Sequence, residues 1–108
     1  TDGNLSNYGE EFEAGTLEGA QGTLPGAFPD DAFQERLLGV DPELNDFSYA
    51  AESYDAVILA ALAAVRGGAT DGVTIQENLA AVSGAEGGTA CTGFAECAEL
   101  LANGEDID

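Results

Sequence analysis

The sequence has no His, no Lys, no Met and no Trp. Each absence removes a class of chemistry. Without imidazole, the common Ser-His-Asp and Cys-His triads and the usual zinc sites cannot be built. Two cations, Arg36 and Arg66, stand against 21 Asp and Glu, a formal net charge of −19 over 108 residues. Binding nucleic acid requires Lys and Arg to displace counterions from phosphates, so this composition excludes it. Docking to an anionic membrane surface is excluded on the same ground. No hydrophobic run approaches the ~20 residues of a membrane-spanning helix, the longest being residues 56–65.

Large apolar side chains are also scarce. Much of the apolar fraction is Ala, and Gly contributes another 15 residues. Small side chains bury little area each, so the sequence predicts a thin core and a piece of a larger protein. The opening Thr1-Asp2-Gly3 carries no initiator Met and no charged-then-apolar leader. An export signal is therefore expected upstream or already removed. What remains for chemistry is carboxylates, hydroxyls and two thiols. The acid-rich, Lys-free surface is read as solvation that keeps the chain dispersed at high ionic strength, where repulsion is screened within a few Å.

Local patterns predict a mainly helical chain. Leu5, Tyr8, Phe12 and Leu17 permit a short helix over residues 6–14, stopped by Gly15. Residues 18–25 read as an extended stretch ended by Pro25-Gly26. Pro29-Asp30-Asp31 places a proline and two acids ahead of a helix over 32–38, with Gly39 as its exit. Residues 40–47 form a turn-rich connection around Pro42.

The clearest helix is predicted over 48–66, where Ala50, Tyr54, Val57, Ile58, Ala61, Leu62 and Val65 fall on one face. Arg66 suits its negative end, and Gly67-Gly68 supplies a stop. Thr74 and Glu77 have the spacing of a capping box for a helix carrying Leu79 and Val82 and ended by Gly84. Thr92 is placed to cap a last helix with Phe94, Cys97, Ala98 and Leu101 on its apolar side and Gly104 beyond it. Helices with single apolar stripes need a covering surface, and the Ala-rich stripe of the long helix suits close packing on a parallel sheet.

Candidate functional residues are few. Cys91 and Cys97, six apart at the start of the last helix, suit a local disulfide. Two thiolates without His would leave a zinc site half built. Asp2-Gly3 could hold a carboxylate at a strand end aimed at a ligand, or be an exposed loop acid. The other acids, such as Glu10-Glu11, Asp30-Asp31 and Glu105-Asp106, read as caps and solvated faces. None has the spacing of a calcium loop, so no metal is assigned. Paired carboxylates could serve a glycosidase, but 21 acids offer many pairs and single out none. No enzyme and no cofactor is expected.

Taken together, TDGNLSNYGEEFEAGTLEGAQGTLPGA, PDDAFQERL, SYAAESYDAVILAALAAVRGGATDGVTIQENLAAVSG and TACTGFAECAELLANGEDID resemble type I periplasmic-binding proteins, and within them the branched-chain amino-acid solute receptors of ABC transporters. The most specific parts are residues 50–61 around Tyr54-Asp55-Ala56 and the ending Gly104-Glu105-Asp106-Ile107-Asp108.

The resemblance implies an α/β, two-lobed Venus-flytrap fold, of which this fragment is the later part and incomplete at its C-terminus. Residues 1–17 would close the second lobe, 18–26 would be a hinge crossing, and 27–108 would be helices of the first lobe with one or two short strands. It further implies that Asp2 contacts a ligand ammonium group, where family members commonly carry Glu. A buried ammonium needs a charged acceptor, which makes a carboxylate apt there.

The function so implied is extracytoplasmic capture of an amino acid, branched-chain or a similar small polar solute, by hinge closure and its delivery to a membrane permease. The receptor would be periplasmic or a cell-surface lipoprotein. The alternative on the same fold is the ligand-sensing domain of a signalling receptor or an amide- or urea-responsive regulator. Composition alone also permits an acidic structural or adhesion module. The receptor reading predicts that the isolated fragment is marginal or self-associates through its uncovered helix faces.

Overall fold

The computed structural model describes residues 8–108, and the chain divides into two compact units, Thr1–Glu52 and Ser53–Asp108. Among the described residues there are four helices, α1 (Asp31–Val40), α2 (Ala50–Gly67), α3 (Gly72–Leu79) and α4 (Phe94–Ala102). The one β-bridge among them pairs Thr89 with Ile107 in parallel. No single described helix is long and apolar enough to cross a membrane.

In the first unit, residues 8–20 run through successive turns, with Phe12 N–H donating to Tyr8 O at 3.2 Å, Thr16 to Glu13 at 3.1 Å and Ala20 to Leu17 at 3.0 Å. The helix expected over 6–14 is absent from its described part, residues 8–14. Gly9 and Gly15 bracket the segment, Glu10, Glu11 and Glu13 repel one another, and so short a helix cannot repay its own nucleation.

The extended stretch expected over 18–25 is irregular and unpaired. Gly19 and Gly26 bend it at φ +80° and +91°. At Gly26 the Glu52 carboxylate lies where a Cβ would stand, and Glu52 Oε1 accepts from Ala27 N–H at 2.7 Å.

Helix α1 begins as Pro29-Asp30-Asp31 suggests: Asp30 Oδ1 accepts from Phe33 N–H at 2.8 Å. It then runs through Gly39, the expected exit. The stop comes from Pro42, which disfavours helical backbone in the residue before it. Asp41 is accordingly extended, at φ −131° and ψ 97°. No residue of α1 is buried.

Helix α2 starts two residues later than expected, because Tyr49 sits at φ +61°. At the far end it continues through Gly67 and stops at Gly68, whose φ of +72° permits its N–H to reach Ala64 O at 2.9 Å.

The second unit holds the core: Leu62, Ala63, Val82, Cys97 and Ile107, with Ile58, Leu59, Ile75, Leu100 and Leu101 packed around them. The buried face of α2 matches the predicted stripe in part: Leu62 and Ile58 belong to it, whereas Ala63 and Leu59 join the core from outside it. Leu62 and Ala63 lie inside, whereas Val57 is 68% exposed and Val65 and Tyr54 also stand partly outside. Tyr54, expected in the core, is a half-exposed residue. The turn of the chain between α2 and α3, 101° across their break, accounts for the part that differs. It brings α3 and the segment after it against the Leu62 side of α2 and leaves the Val57 side uncovered.

Helix α3 starts earlier than the Thr74 capping box predicts. Asp71 is the cap, accepting from the N–H groups of Val73 and Thr74, each at 3.1 Å, and from the Thr74 hydroxyl at 2.7 Å. Helical structure ends at Leu79, and Val82 enters the core from the turns that follow rather than from the helix.

At α4, Thr92 is not the cap. Gly93 holds that position without a side-chain bond, and Glu96 reaches back to the Thr92 N–H and hydroxyl at 3.2 and 3.4 Å. The helix ends as Gly104 predicts, at φ +81°, with Gly104 N–H on Leu101 O and Glu105 N–H on Leu100 O, both at 3.0 Å. That pair of bonds is a Schellman motif.

Beyond α4 the chain returns beside its own approach. Thr89 N–H donates to Asp106 O at 2.8 Å, Asp108 N–H to Thr89 O at 3.0 Å and Cys91 N–H to Asp108 O at 3.1 Å. Two parallel extended segments joined through a helix form a miniature β-α-β crossover. Gly88 is tightly placed against it, since a Cβ there would fall 2.6 Å from Asp106 and Ile107 backbone atoms.

Candidate functional site

The Cys91–Cys97 disulfide, with Cα atoms 5.5 Å apart, ties the first extended segment to the second turn of α4. Cys97 is buried in the core and Cys91 is half-buried. In this position the sulfurs act as a staple.

Beside the disulfide lies an open cleft of about 360 Å³. Its apolar wall comes from Ile58, Leu59 and Leu62 of α2, and Phe94 closes it from α4. Tyr54, Asp55 and Asp108 supply polar groups on its lining. Tyr54-Asp55 and Ile107-Asp108, far apart in sequence, thus meet on one lining.

The cleft contains no cation, since Arg66 is engaged in an ion pair with Asp106 on another part of the unit. Its carboxylates and hydroxyls can accept or donate hydrogen bonds. Among the described residues no three His, Cys, Asp or Glu side chains are grouped to hold a metal ion. Asp2 lies outside the described residues, so nothing places it relative to this cleft.

Two carboxylates are tuned by local hydrogen bonds. The Thr74 hydroxyl and N–H lower the Asp71 carboxyl below its ordinary value, and the Ser48 N–H and hydroxyl lower Asp46. Both acids are fully exposed helix or turn caps, which ties their shifts to structure rather than to a reaction.

Sequence reasoning missed the parallel pairing of Thr89 and Ile107. The signal available was Ile107 itself, a single large aliphatic between two acids after a Gly stop, an alternation suited to a short strand with one buried face. It also missed Ile75 as a core contact and Asp71 as a cap.

No protein-family model, curated protein or solved structure matches this chain.

Proposed function

We propose that these residues form part of an extracytoplasmic solute-binding receptor of the type I periplasmic-binding class. The receptor captures an amino acid or similar small polar solute and hands it to the permease of an ABC transporter. The observation that carries this reading is the crossover from Thr89 through α4 to Asp108. Parallel extended segments linked by a helix are the building unit of α/β lobes, and among the described residues the helices otherwise have no sheet to cover.

Two further observations support it. Helix α2 keeps Val57, Val65 and Tyr54 at the surface while its other side is buried. An Ala-rich helix with apolar residues on both sides fits a position against a sheet supplied by other parts of the receptor. The disulfide agrees with folding in an oxidising, extracytoplasmic compartment.

In this receptor Asp2 holds the ligand ammonium group, and closure of the two lobes buries the solute. A thermal-shift panel on the protein containing this chain, wild type and Asp2→Ala, tests the reading against branched-chain amino acids, other amino acids, amides and urea. Ligand that binds only the native state raises its melting temperature. The expected result is a shift with one class of amino acid that Asp2→Ala abolishes. No shift anywhere in the panel removes the amino-acid assignment, and a shift with amides or urea alone transfers the protein to the regulator class.

A further inference from the structure

The crossover that organises the second unit is surrounded by negative charge. Helix α4 ends with its carbonyls, the negative pole of its dipole, at residues that lead directly into Glu105, Asp106 and Asp108. Its last turn contains Glu99 and no basic residue. The segment after Gly104 must then settle three carboxylates beside residues 89–91 to form its backbone bonds. Glu105 Oε2 is turned to the Thr89 hydroxyl at 3.3 Å, and the Asp108 carboxylate rests where a Gly84 Cβ would be. Among the described residues, the one cation in an ion pair with this group is Arg66, through its exposed bond to Asp106.

We propose that pairing of Asp106–Asp108 with Thr89–Cys91 is gated by ionic strength, open in dilute salt and closed when salt is molar. The physical argument weighs repulsion against one attraction. Glu99, Glu105, Asp106, Asp108 and the α4 dipole all carry the same sign, and in dilute salt they act on one another over the whole crossover, since the Debye length is about 30 Å at ~0.01 M. At ~1 M it contracts to about 3 Å, and the mutual repulsion is screened. Salt screens the Arg66–Asp106 pair as well, but an exposed pair contributes little, so relief of the like charges decides the direction.

Opening is confined to the returning segment. The disulfide holds Cys91 to α4 at any salt concentration, so the first extended segment stays in place and waits for its partner. This inference is independent of the receptor reading, because it concerns only charges and bonds inside the second unit.

Amide hydrogen exchange on the protein containing this chain reads the gate directly, since the amides of Thr89, Cys91 and Asp108 are the three donors of the pairing. The Leu62 amide, inside α2, serves as the reference that cancels the effect of salt on intrinsic exchange. Between ~0.01 and ~1 M sodium chloride, protection of the three amides relative to Leu62 is expected to rise about tenfold. Glu99→Gln combined with Glu105→Gln keeps the backbone bonds and an acceptor for the Thr89 hydroxyl, and it should bring the rise below about twofold by raising protection in dilute salt.

Arg66→Gln should lower protection in dilute salt and leave it unchanged at high salt. Tetramethylammonium chloride should act as sodium chloride does, because screening needs no particular cation. Equal protection at both salt concentrations overturns the proposal. So does an undiminished rise in the double Gln variant, or a rise with sodium that tetramethylammonium fails to reproduce.

Discussion

Helices α1 and α4 are nearly the same length, 10 and 9 residues, and are held in opposite ways. Helix α1 has a side-chain cap in Asp30 and buries none of its residues. Helix α4 has no side-chain cap, yet it buries Cys97, carries the disulfide and ends in a Schellman motif that turns the chain back into the core. Local hydrogen bonds can define where a helix starts, but short helices in water owe their persistence to packing. The two units differ in the same way. The first contains turns and caps, the second a core with long-range backbone pairing.

The comparison can be tested first at Ile107, which is 1% exposed. Ile107→Ala removes a fully buried side chain between α2, α4 and the extended pair. It is expected to cost about 3 kcal/mol in urea-induced unfolding of the second unit. Amide exchange in α1 should not change; if α1 loosens equally, the two helices are not independently held and the contrast fails.

Removing the staple with Cys91→Ala and Cys97→Ala should cost about 2 kcal/mol, the loop-closure entropy for so short a ring. Denaturation under oxidising and reducing conditions gives the same quantity without substitution, and the two measurements should agree. On the other side of the comparison, Asp30→Ala deletes the α1 cap and should reduce α1 stability by about 1 kcal/mol, visible as faster exchange at Phe33 and Gln34. Asp30→Asn should retain most of it. No change in α4 is expected from either.

The smallest effect is a pH dependence at α3. Hydrogen bonds from Thr74 lower the folded-state pKa of Asp71 below its unfolded value. The cap's contribution is thus fully present above the unfolded pKa of about 4 and is lost as pH falls through the lower folded value. Protection of the Val73 and Thr74 amides, taken relative to their intrinsic exchange at each pH, should fall on acidification in that window. In Asp71→Asn, which cannot titrate, it should not.

Helix positions and several stops were legible in the sequence because they depend on neighbours. Pro29-Asp30 before α1, Gly68 after α2 and Gly104 after α4 each act within one turn. The errors arose where a nearby residue of another kind prevailed, as Pro42 did over Gly39 and Asp71 over Thr74. The burial of α2 was read correctly at Leu62 and Ile58 and wrongly at Val57, Tyr54 and Val65. Its Ala-rich surface gives apolar residues on nearly every side, so periodicity drew one wide stripe of which only the Leu62 side is covered. Which side is covered depends on where α3 turns, which is tertiary information.

The Thr89–Ile107 pairing was invisible for the same reason, since each segment alone is too short to announce a strand. The disulfide spacing was readable because six residues at a helix start already bring two cysteines within bonding reach. Nothing in the sequence joins Tyr54-Asp55 to Ile107-Asp108, which are distant along the chain and meet at the cleft only through the fold.

Gly88 carries a consequence for sequence variation. Any Cβ at that position would collide with Asp106 and Ile107 main-chain atoms, which no rotamer change can move aside. Substitution at 88 is therefore barred by geometry, whereas the surrounding acids are free to drift among Asp, Glu and polar residues. Among diverged descendants of this chain, a glycine one residue before the first extended segment, kept together with a lone aliphatic after the α4 stop, would outlast the acidic composition as the mark of common ancestry.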